Sequence, residues 1–140
     1  MWLNYFWKEM MDIRFFNNPI EEPRDREDVR IRQIGLHLHP DLRRFAFGIE
    51  LTPFRERPSI EVNVTNGDGQ PAGMLHVIET VMPNFSLTMH LRDAETVNPY
   101  TLTALLYYSW PEEKERQEIE QREITFEVTE PGEQLFRFDA

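Results

Sequence analysis

The pair of side chains best spaced to share a metal ion is His37-x-His39. On a β-strand, residues two apart point to the same face, so one zinc ion could take a nitrogen from each ring. A complete site needs three or four converging ligands. His76 and His90 are the other two histidines, and no cysteine is present to help. If Leu36 and Leu38 face a core, His37 and His39 face water, which is an ordinary place for strand histidines. Asn66-Gly67-Asp68-Gly69-Gln70 has some of the composition of a calcium loop. It lacks the D-x-D-x-D-G spacing and the closing glutamate, and a tight hairpin accounts for it fully. Asn63-Val64-Thr65 and Asn84-Phe85-Ser86 fit the glycosylation triplet, which carries meaning only for an exported chain. There is no G-x-S-x-G elbow and no P-loop. The carboxylates show no isolated pair in an apolar setting, the arrangement that raises a pKa for acid–base work. The expectation is a protein that is not an enzyme and needs no cofactor.

The elements that would carry these residues follow from a rhythm of period two. Phe45-x-Phe47-x-Ile49-x-Leu51, Ile60-x-Val62-x-Val64, Phe85-x-Leu87-x-Met89-x-Leu91 and Ile124-x-Phe126-x-Val128 alternate apolar with polar positions. Such alternation buries one face of a strand and wets the other. The pattern predicts seven strands, over about 29–39, 44–52, 59–65, 73–81, 85–92, 100–109 and 119–128. In the first, parity slips between Val29/Ile31 and Ile34/Leu36/Leu38, as a bulge or a crossing between sheets would require. Asn66-Gly67-Asp68-Gly69 marks a hairpin, because Asn and Gly tolerate positive φ. Residues 112–123 hold one apolar side chain, Ile119, and so suit a solvated hairpin better than a packed helix. The tail carries Leu135, Phe136 and Phe138, which could form one more short strand. The organisation expected is an N-terminal extension and lead-in over 1–28, a sandwich over 29–128 and a tail over 129–140.

Asn98-Pro99-Tyr100-Thr101-Leu102-Thr103-Ala104 resembles the opening of strand F in immunoglobulin-like and fibronectin type III-like domains. The resemblance covers about residues 29–128. It implies an all-β, seven-stranded antiparallel sandwich, here with an extra N-terminal segment. It also implies a tyrosine corner in which Tyr100 bonds back to loop backbone, with Leu102 where antibody domains place their second cysteine. The antibody cysteines are absent, and so is the strand C tryptophan, since 59–65 contains none. A resemblance at the level of fold implies no activity.

Function must then reside in surfaces. With Tyr100, Leu102 and Ala104 inward, Leu105 and Tyr107 point outward, where polar groups are expected. Together with Trp110 and the apolar N-terminus (Trp2, Phe6 and Trp7) they form the expected interaction surface. The alternative is that the N-terminal segment or the tail covers them, within one chain or swapped between two as a homodimer. Met10 and Met11 offer later start positions than Met1. A second function reading uses Tyr107, Tyr108 and Trp110 as stacking platforms in a carbohydrate-binding sandwich. The bulk numbers fit a contact protein: 140 residues, 40% hydrophobic and 12% aromatic, enough for one packed domain. A net charge of −10 and a pI near 4.8 disfavour nucleic acid and anionic lipid as partners. The lack of cysteine, of a signal peptide and of a long apolar run makes the cytoplasm the expected compartment, with a protein partner or self-association.

Overall fold

The computed structural model describes residues 21–140. The first described residues lead through a single 3-10 turn (Arg26–Asp28) into eight strands. These are β1 (Ile31–Leu38), β2 (Arg44–Leu51), β3 (Ser59–Thr65), β4 (Pro71–Val77), β5 (Asn84–His90), β6 (Tyr100–Tyr108), β7 (Gln117–Phe126) and β8 (Gly132–Arg137). They form two four-stranded antiparallel sheets, ordered β5-β2-β1-β8 and β4-β3-β6-β7. The protein is thus an all-β two-sheet sandwich, consistent with an immunoglobulin-like fold in general. The expected count of seven strands is corrected to eight. The eighth comes from the tail, where Gly132–Arg137 pairs with Leu38–Gln33 along the free side of β1.

The alternating residues explain the core. Ile34, Leu36, Phe45, Phe47 and Ile49 from the first sheet meet Ile60, Val62, Leu102, Leu106 and Ile124 from the second, all buried. The parity slip in β1 is a register shift between Ile31 and Gln33 against β2, and it lets both Ile31 and Ile34 reach the interior. β4 ends at Val77, four residues earlier than the alternation suggested. The chain then crosses from the second sheet to the first through residues 78–83. That crossing is pinned by backbone: Glu79 N–H donates to Ser59 Oγ at 3.1 Å, Thr80 N–H to Pro58 O at 2.9 Å, and Leu51 N–H to Pro83 O at 2.7 Å.

The loops at the other end of the sandwich are joined by side chains. Asn66 Oδ1 accepts from the amides of Asp68 and Gln70, both at 3.0 Å, and so builds the tight β3–β4 hairpin. Asn66 Nδ2 donates to Asp93 Oδ1 at 3.1 Å, and the Tyr100 hydroxyl donates to Asp93 Oδ2 at 2.9 Å. The same hydroxyl accepts from Val97 N–H at 3.1 Å. Asn98 exchanges two bonds with the backbone of Val128, at 2.8 and 3.0 Å, which fastens the same loop to the end of β7.

Candidate functional site

The outward-pointing residues of β6 are buried. Leu105 and Tyr107 are only 7% and 5% exposed, yet neither belongs to the central apolar cluster between the sheets. Leu105 lies in register between Glu61 of β3 and Gln121 of β7. Tyr107 carries the Arg116 guanidinium 4.6 Å from its ring centroid, and its hydroxyl is hydrogen-bonded to His76 Nε2 from β4. Arg116 is itself held by Glu61 at 3.2 Å. This face is therefore lined by polar side chains, Glu61 of β3, His76 of β4 and Gln121 of β7, with Arg116 from the β6–β7 hairpin. Trp2, Phe6 and Trp7, the other members of the expected surface, lie outside the described residues.

Tyr108 and Trp110 sit at the end of β6, over the 3-10 turn. Their rings stack with centroids 6.1 Å apart, and Arg26 lies 4.5 Å from the Trp110 ring centre. The Tyr108 hydroxyl donates to Glu56 O at 2.8 Å. Burial, with Glu56 beside it, pushes the Tyr108 phenol up to about 12. Tyr107 and Tyr108 do not present an open aromatic face, and Trp110 is half-buried against Arg26.

His37 and His39 do share a side of β1, with ring centroids 5.9 Å apart. In register His37 lies between Ala46 of β2 and Glu133 of β8. Burial, and then the neighbouring His39, hold the His37 imidazole below its ordinary 6.5, while Glu133 acts in the opposite direction. Among the described residues, no group of three or more His, Cys, Asp or Glu side chains gathers to hold a metal ion. A wide depression of about 820 Å³ lies beside the 3-10 turn and the C-terminus, lined by Arg24, Arg30 and Arg55 with Asp25, Asp28 and Asp139. Its cations are already committed to backbone carbonyls: Arg24 to Asp28 O, Arg30 to Glu27 O and Val29 O, and Arg55 to Pro23 O. Arginines and aspartates alternate around it, so it offers no field of one charge to recognise a ligand.

Sequence reasoning missed a different surface. Met74, Ile78, Val81, Met82 and Leu87 are all exposed, Ile78 by 68%. They fall on β4, on β5 and on the crossing between them, along one open side of the sandwich. Apolar residues in an alternating stretch read as core, so this grouping was not visible from periodicity. The signal that was available is charge: from Gln70 to Leu91 only Glu79 carries a formal charge, in a chain with 25 acidic and 15 basic residues. Grouped exposed apolar side chains with a single charge, Glu79, among them are the composition of a contact surface. No helix among the described residues is long and apolar enough to cross a membrane. No protein-family model matches this chain, and no curated protein matches it in sequence.

Proposed function

We propose that this protein is a non-enzymatic module of immunoglobulin-like, fibronectin type III-like type that acts through protein contacts along its β4–β5 side. Two features support the fold type. β1, β2 and β5 share one sheet while β4, β3, β6 and β7 share the other, the distribution of strands A, B, E and C′, C, F, G. Tyr100 sits at the start of β6 and bonds back to loop backbone, as a tyrosine corner does.

The observation that carries the function is the fixed, apolar crossing. Ile78, Val81 and Met82 are held outward by a backbone anchored at Ser59, Pro58 and Leu51. Holding large apolar groups in water gains nothing for the fold, and the ordered backbone means little entropy remains to be lost on binding. The β6 face expected from sequence is a weaker candidate, because Leu105 and Tyr107 already have intramolecular neighbours. A photoreactive amino acid placed at Val81 should give cross-links of discrete mass, and the same probe at Glu123, exposed on the opposite edge strand β7, should give none. Ile78→Asp with Met82→Asp should abolish the Val81 products while leaving the melting temperature within a few degrees. Equal cross-linking from both positions, or none from Val81, would sink this reading.

A further inference from the structure

We propose that two copies of this chain join through β5, antiparallel, about a two-fold axis at Ser86. This rests on the reading of the β4–β5 side as a contact surface and assigns its occupant. A sandwich of two open sheets has four edge strands, here β5 and β8 in one sheet and β4 and β7 in the other. Edge strands expose unpaired backbone groups, and proteins guard them with charge, proline or cover. β7 carries Glu118, Glu120, Arg122 and Glu123, and β8 carries Glu133 and Arg137. β4 opens with Pro71. It is also tied to the chain just past the end of β5, where Arg92 N–H donates to Ala72 O at 2.8 Å. β5, Asn84-Phe85-Ser86-Leu87-Thr88-Met89-His90, has no formal charge and no proline. Its stretch Asn84–Thr88 lies beyond that contact with β4. Leu87 is 40% exposed although its register partner Phe47 is wholly buried, so no other described residue covers the edge there.

The sequence of this stretch is complementary to itself. Antiparallel pairing about Ser86 sets Phe85 against Leu87 and Asn84 against Thr88, apolar with apolar and polar with polar. Isologous contacts of this kind close as a dimer and do not propagate. Charge selects the same occupant. With a net charge of −10, two copies repel over most of their surfaces, and the stretch from Gln70 to Leu91 is where that repulsion is least. A basic partner would find only Glu79 to pair with here. The dimer should therefore tighten as salt rises, because screening weakens the remaining like-charge repulsion.

Sedimentation velocity across a range of protein and salt concentrations, together with hydrogen exchange at the same concentrations, tests this. The expected result is a mass that doubles with concentration, more readily at high salt, with exchange slowing at amides within 84–88. Ser86→Lys brings two cations together on the axis and should leave a monomer at every concentration tested. Thr88→Lys, at an exposed position, should do the same if the first variant melts early. A chain that stays monomeric at high salt overturns the proposal. So does a dimer whose slowed amides lie elsewhere, or one that survives both lysines. The Val81 cross-linking result stands apart from these outcomes, so failure of the β5 dimer and failure of the contact-surface reading are separable.

Discussion

Tyr108 shows how a polar group at a strand end reports on its surroundings. Its ring is buried against Trp110 and its hydroxyl is spent on Glu56 O. The folded phenol ionises near pH 12, whereas an unfolded one ionises near its ordinary 10.0. The raised value means that the neutral form is favoured in the fold. Its stabilising effect is complete below pH 10 and fades as pH rises towards 12, by on the order of 1–2 kcal/mol. Tyr108→Phe should lower stability at neutral pH by about 1 kcal/mol through the lost hydrogen bond. It should also make the alkaline limb shallower, though not flat, because burial pushes Tyr100 up as well. Urea unfolding of both proteins from pH 8 upward measures the difference. Parallel limbs would mean that the Tyr108 phenol is not held neutral by the fold. At this scale the sequence was informative about direction and silent about neighbours. Parity placed Leu105 and Tyr107 off the central core, but the partners that enclose Tyr107, Arg116 and His76, come from a hairpin and a strand distant in sequence.

Elements were legible where their determinants are local. The Asn-Gly-Asp-Gly hairpin, the slip in β1 and most strand positions follow from turn chemistry and alternation within a few residues. β8 was less legible because its pairing with β1 joins residues about a hundred positions apart, and no local pattern names that partner. The exposed β4–β5 crossing was missed for the opposite reason. Ile78 and Val81 continue an apolar run, and only the backbone anchors at Pro58 and Ser59 turn them outward. The hairpin tip offers a test of how tightly elements are docked. A Cβ at Gly67 would lie 2.3 Å from Asn98 O, and Gly67 N–H already donates to Val97 O at 2.7 Å. Gly69, at φ +79°, has open space around it. Gly67→Ala should therefore cost about 1–3 kcal/mol by forcing two backbones apart, as overpacking does. Gly69→Ala should cost about 1–2 kcal/mol from local strain alone. Exchange of the Val97–Tyr100 amides should accelerate only in the first variant. Equal acceleration in both would mean that the hairpin is not wedged against that loop.

For the whole molecule, the two open sides of the sandwich differ in kind. The β4–β5 side is largely apolar, with Glu79 its one formal charge between Gln70 and Leu91, while the β7–β8 side is closed by a polar clasp. Glu120 reaches from β7 across to the first sheet, where its Oε1 accepts from the amide of Ile31 at 2.7 Å. Its Oε2 holds Arg122 at 2.8 Å, and the Arg122 guanidinium lies 4.6 Å from the ring centre of Phe138, just past β8. One carboxylate thus joins the second sheet to both β1 and the tail. The Ile31 residue is wholly buried, so removing its acceptor strands an amide that water cannot easily reach. Glu120→Ala should cost about 1–3 kcal/mol for the orphaned amide. Glu120→Gln keeps an acceptor oxygen and should recover much of that loss, although the ion pair is gone. Chemical denaturation of the two variants separates the contributions. If the glutamine fares as badly as the alanine, charge and not the Ile31 bond holds this side together. Neither change should alter the proposed self-association through β5, on the far side of the molecule. A shift in dimer mass in a folded Glu120→Ala variant would mean that the two sides are coupled through the core.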